Sequence, residues 1–211
     1  MSSIHWANIF STVGGLSGAA AAAGAWRAAV VSNRTADAVA RIERDRRQSE
    51  LTPSFEITAE FVSDDQAKLN VHLKGPVALG YLNEVSISID DDDMDRTVRL
   101  PSGRPDRRPT QEDIDNQVWG PFKFAHGGDG ANEFGRTVTP FPLRVGRGRP
   151  LNMDRIRAPF WWEGSDANDR WDREQAGTPI RLVLVCRHED LDPWTIPYPL
   201  DSLPPIHMTI G

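Results

Sequence analysis

The chain has 211 residues, of which 39% are hydrophobic and 26% charged, and a net charge of −6. That composition suits a folded globular chain and excludes a collagen-like or low-complexity one, and the acidic balance argues against broad nucleic-acid binding. A lone cysteine, Cys186, excludes an intrachain disulfide framework and fits a reducing compartment.

The first element in the chain is the uncharged run Ile9–Trp26, which ends at Arg27. As a helix it would reach about 27 Å, close to the roughly 30 Å of a hydrocarbon core. Trp6 and Trp26 stand about 30 Å apart on such a helix, where interfacial anchors are expected. Residues 1–26 are therefore expected to form a hydrophobic helix that anchors the chain in a lipid bilayer. A cleaved signal peptide would need a basic start, and no Lys or Arg precedes Arg27. The run is mostly Ala and Gly, so a helix packed in a homo-oligomer is the rival reading. Gly14, Gly18 and Ala22 recur at spacing four, a pattern that lets two helix backbones approach and marks a candidate self-association face.

Residues 27–53 read as a charged helical stalk. Six arginines stand there against Asp37, Glu43, Asp45 and Glu50, and Asp37–Arg41 and Glu43–Arg47 are i,i+4 pairs of opposite sign. The one-sided arginines place the bulk of a single-pass cell-membrane protein in the cytoplasm; without the anchor the protein would be cytoplasmic throughout. Leu51-Thr52-Pro53 ends the helix, because a residue before proline avoids helical geometry.

Residues 54–211 are expected to form one globular domain, a mainly β antiparallel β-sandwich preceded by the long N-terminal helix. Phe55, Ile57, Ala59 and Phe61 alternate with polar residues over Phe55–Val62, and Asp64-Asp65 follows as a turn. Leu69, Val71 and Leu73 alternate again, as do Val85, Ile87 and Ile89. Arg96–Leu100 is expected to complete a hairpin with Val85–Ile89. The Pro-, Gly- and Arg-rich stretch 101–150 suggests long loops with one short helix at Thr110–Gln117. Ile180–Cys186 reads as a buried central strand, with weaker strands at Val118–Phe124, Thr137–Phe141 and Trp194–Tyr198.

Few motifs carry chemistry. Asp91, Asp93 and Asp95 are the candidate metal ligands, although the sixth and twelfth positions of a calcium loop would be Arg96 and Ser102, which do not fit. The string Arg147-Gly148-Arg149-Pro150 resembles the core of an AT-hook, but stands alone in an acidic domain and otherwise reads as a surface loop. Trp161, Trp162, Glu163 and Trp171 mix aromatics and carboxylates as glycan sites do and are the candidate ligand-binding residues; in extended backbone, Trp161 and Trp162 would point to opposite faces. The five histidines are scattered and no catalytic constellation is legible, so no catalytic residue and no cofactor is expected.

The hydrophobic run Ile9–Trp26, the Arg/Glu-rich stretch Arg41–Glu50 and Leu51-Thr52-Pro53-Ser54-Phe55 together resemble a loose group of uncharacterised actinobacterial proteins with an N-terminal hydrophobic helix and a C-terminal β domain. The resemblance implies no activity. The expectation is a membrane-tethered cytoplasmic module that binds an unknown ligand or protein partner. The alternatives are a structural or assembly subunit with a packed N-terminal helix, and a carbohydrate- or ester-directed hydrolase.

Overall fold

The structure is a computed structural model that describes residues 37–91 and 108–201. The chain divides into two compact units, residues 1–50 and 51–211.

In the first unit the structure describes a helix, α1, over residues 37–50. It is exposed on every turn, including Val39 and Ile42, and Arg46 pairs with Glu50 at 2.7 Å. The expected pairs Asp37–Arg41 and Glu43–Arg47 are not among the ion pairs of the described residues. The membrane anchor and the single-pass membrane localisation are not upheld: among the described residues no helix is long and apolar enough to cross a membrane. The physical reason is composition, because α1 carries acidic or basic side chains on each turn, and these do not enter hydrocarbon unpaired. The run Ile9–Trp26 lies outside the described residues, as do Gly14, Gly18 and Ala22. Among the described residues the expected long N-terminal helix is the short helix α1, residues 37–50.

The second unit is two four-stranded antiparallel sheets enclosing one core. The first sheet orders β1 (Ser54–Ser63), β2 (Gln66–Gly75), β6 (Gly148–Arg155) and β4 (Phe122–Phe124) as β1-β2-β6-β4. The second orders β5 (Phe141–Arg144), β3 (Tyr81–Ile89), β7 (Ile180–His188) and β8 (Leu191–Leu200) as β5-β3-β7-β8. Among the described strands the chain changes sheet at every step from β2 to β7, and the partners β2 and β6 are adjacent in one sheet as β3 and β7 are in the other. These crossings interlock the layers, as in a β-sandwich.

Period-two burial drives the pairing. Ala67, Leu69, Val71 and Leu73 of β2 face inward, as do Leu82, Val85, Ile87 and Ile89 across the gap; Leu182, Leu184 and Cys186 of β7 complete the floor. Each such Leu or Ile contributes about 1.5–3 kcal/mol relative to an exposed position. A one-residue slip would turn the whole set to solvent, so burial fixes the register Ile57↔Val71, Leu69↔Leu151 and Ile87↔Leu184.

Three expectations about elements need correction. The hairpin between Val85–Ile89 and Arg96–Leu100 does not form on β3, because β7 pairs along one side of that strand and residues 137–144 occupy the other; residues 96–100 lie outside the described set. Of the AT-hook-like string only Arg147 lies in a surface loop. Gly148, Arg149 and Pro150 open β6 and pair with His72, Val71 and Asn70, and the Arg149 guanidinium lies 4.4 Å from the centroid of Phe141. Pro150 is tolerated because β4 reaches only Met153–Arg155, so no strand needs its missing N–H. Residues 167–175, given no element by the sequence, form a helix, α3 (Ala167–Gln175).

The short helix expected at Thr110–Gln117 is α2 (Gln111–Asn116), held by a capping box between Thr110 and Asp113. Behind it, Arg136 donates to the Asp91 carboxylate at 2.8 Å and to the carbonyls of Asp115 and Gln117, tying the end of β3 to the end of α2. Gly135 lets the chain close on β4: its φ is +72°, and an added Cβ would lie 2.6 Å from the Phe124 carbonyl oxygen.

The edges of the two sheets are unequal. Pro193, Pro197 and Pro199 sit at alternate positions of β8. Since proline cannot donate to β7, these positions face outward and strip that edge of most of its donors. On β1 the Ile57 amide, which faces away from β2, donates to the Tyr198 hydroxyl of β8 at 3.2 Å.

Candidate ligand cavity

The candidate aromatic site folds into a cluster, not a stacking platform. A turn closed by the Trp162 amide on the Pro159 carbonyl, at 2.9 Å, replaces the extended backbone that would have split Trp161 from Trp162. Both rings therefore reach one cluster. Trp162 meets Trp171 edge-on at 5.5 Å, Trp161 lies 6.5 Å from Trp119, and Trp119 lies 5.7 Å from Trp171. Phe160 packs edge-on against Trp161 at 4.9 Å. Arg170 covers Trp162 at 5.4 Å, and it also donates to the Glu163 carbonyl. Trp171 is fully buried, so it cannot offer a face to a sugar at the surface. Glu163 is exposed and its carboxylate joins no other in the cluster.

Trp171 leads to the more interesting space. Asp166 precedes α3, and Gly177, at φ +80°, follows the helix's last turn, the left-handed position that ends many helices. The helix lies in the β6-to-β7 crossover and turns Trp171 and Gln175, one turn apart, into the domain. Between α3 and the sandwich is a cavity of about 530 Å³. Phe61 of β1, Phe122 of β4, Ile156 just past β6, and Ile180 of β7 supply its apolar wall, with Trp171 on the helix side. Its lining carries one basic and one acidic side chain, Arg155 and Asp172. Their closest approach is 3.6 Å, and they are 36% and 47% exposed.

At that separation the pair is an ion contact without a good hydrogen bond. Arg155 is steadied from the other side by the Phe122 ring, 6.0 Å from its guanidinium carbon. Gln175 is 8% exposed, and its carboxamide oxygen accepts from the Thr178 hydroxyl at 3.3 Å. The Trp171 indole N–H is buried without an oxygen or nitrogen acceptor, whereas that of Trp119 donates to the Ile114 carbonyl at 3.3 Å.

The candidate metal ligands do not converge in the described part of the chain. The Asp91 carboxylate accepts from Arg136 and from the Trp119 amide at 3.0 Å, and Asp93 and Asp95 lie outside the described residues. Among the described residues no group of three or more His, Cys, Asp or Glu could hold a metal ion. Burial pushes the Cys186 thiol up to about 12, which makes it a small buried hydrophobe at neutral pH.

Of the four ligand candidates, the cavity keeps Trp171. The sequence reading missed Arg155, Gln175 and the apolar wall. The available signal was α3 itself, with Asp166 before it, Trp171 and Gln175 one turn apart, and Gly177 after it. No family model matches the chain, and neither a curated protein nor a solved structure matches it.

Proposed function

We propose that residues 51–201 are a ligand-binding β-sandwich whose site is the cavity beneath α3. The observation that carries this reading is the cavity's make-up: about 530 Å³, apolar on most sides, with a single charged pair in its lining. Ligand sites commonly span about 300–1,000 Å³ and combine apolar walls with a few polar groups. The lining holds one carboxylate, Asp172, so the two-carboxylate chemistry of glycoside hydrolysis has no support there.

The test is a titration of the isotope-labelled full chain with indole, followed by NMR. The resonances of Ile156, Ile180 and the Trp171 indole N–H should shift together, while those of Val71 and Leu69 in the middle of the core stay put. Shifts elsewhere only, or none at millimolar indole, would remove the cavity from consideration.

A second reading, a protein-interaction module, is supported by the contrast between the sheet edges. Prolines disarm β8, but the outer edge of β1 carries no proline between Ser54 and Ser63. Fast amide exchange at Phe55 and Ala59 that slows in a partner's presence would favour it. Exchange already slow in the free protein would count against it.

A further inference from the structure

We infer that the cavity takes a zwitterion with an apolar arm, the simplest case being an α-amino acid with a large side chain; this rests on the ligand-binding reading above. The argument is charge complementarity. Arg155 and Asp172 are the charged residues of the lining, one of each sign. Neither side chain makes a hydrogen bond among the described residues, and their 3.6 Å contact leaves the guanidinium donors and the carboxylate oxygens unspent. A ligand with one charge would give a new partner to one of the two and leave the other to its 3.6 Å contact and to solvent. A ligand carboxylate on Arg155 and a ligand ammonium on Asp172 satisfy both at once. Guanidinium and carboxylate also match in shape, through two parallel N–H···O bonds. The arm then lies along the partly exposed Phe61, with the buried Phe122, Ile156 and Ile180 behind it. The cavity is large enough for a phenyl or indole side chain.

The experiment is calorimetric titration of the full chain with L-phenylalanine, 3-phenylpropionate and 2-phenylethylamine, which share the arm and differ in charge. L-phenylalanine should bind roughly tenfold or more tightly than either analogue, since each analogue forfeits a charge-assisted bond. Arg155→Gln should reduce L-phenylalanine binding to about the level of the amine, and Asp172→Asn to about the level of the acid. Both residues are partly exposed, so the variants are expected to fold, and the ligand series on the unaltered protein stands by itself if they do not. Equal affinity for all three compounds, or tighter binding of a singly charged one, would overturn the zwitterion while leaving the cavity as the site. Silence with all three compounds together with silence towards indole would overturn the cavity reading as well.

Discussion

Trp171 and Trp119 offer a matched pair of perturbations. Both are core indoles of the same cluster, 8% exposed or less, with ring centroids 5.7 Å apart. Truncating a buried Trp to Ala costs about 3–5 kcal/mol, and Trp→Phe keeps most of the volume, so its packing loss is on the order of 1–2 kcal/mol at either position. The polar terms have opposite signs. In Trp119→Phe the hydrogen bond to the Ile114 carbonyl disappears, which adds about 1 kcal/mol of destabilisation. In Trp171→Phe a buried donor without an acceptor disappears, which returns about 1–3 kcal/mol and offsets the packing loss. Trp171→Phe should therefore lie near neutral and Trp119→Phe at about 2–3 kcal/mol, a gap of about 2 kcal/mol. Urea unfolding measures it, provided both variants keep the parent slope so that the midpoints report stability. Equal losses, or a larger loss for Trp171→Phe, would refute the reasoning and point to a ring face accepting the Trp171 N–H.

Other expectations follow from single contacts. Tyr198→Phe should destabilise the domain by about 0.5–1.5 kcal/mol and speed amide exchange at Ile57, because the N–H loses its acceptor; unchanged exchange would show that this amide is protected by something else. Cys186 should resist a thiol reagent at neutral pH in the folded protein and react fully in urea, and rapid labelling of the folded chain would contradict its burial in β7. The Thr110 amide and hydroxyl hold the Asp113 carboxyl below the usual carboxylate range. Its contribution to the α2 cap is therefore complete above the unfolded value near 3.9 and is lost as pH falls through the lower folded value. In Asp113→Asn that part of the acid limb should vanish, and an acid titration of stability identical to the parent would show that the cap contributes nothing.

The strands that the sequence announces are those whose face is set by burial alone. Phe55 to Phe61, Leu69 to Leu73 and Val85 to Ile89 alternate because one side meets the opposite sheet, and Ile180 to Cys186 because β7 is central. What stayed hidden depends on distant partners. Gly148-Arg149-Pro150 has poor strand propensity and becomes β6 because β2 supplies the pairing and Phe141 a seat for Arg149. Residues 167–175 are dominated by charge, and Trp171 and Gln175 alone turn inward, too thin a stripe for periodicity to stand out. The cavity was least legible: its wall gathers residues 61, 121–122, 155–156, 171–172, 175–177 and 180 from separate elements. The turn at Pro159–Trp162 explains the misplaced aromatic site, because two adjacent tryptophans on one face contradict extended backbone and are natural in a turn.

The crossover from β6 to β7 must close one end of the sandwich, and α3, nine residues and about 13 Å long, does this with few apolar contacts of its own. Trp171 anchors it by packing among Trp119 and Trp162, and the same side chain lines the cavity. Stability of the cluster and shape of the site are thus joined at one residue and separable at its neighbour, since Trp119 is absent from the lining. Trp119→Phe should lower stability and leave affinity for L-phenylalanine unchanged. Trp171→Phe should nearly spare stability and alter that affinity, because the smaller ring changes the packing behind the helix side of the cavity. If the two variants changed affinity in proportion to their stability losses, the cavity would be a passive gap under a loosely seated helix. If they separate as expected, α3 is the wall of a site, held by a cluster that stands outside it.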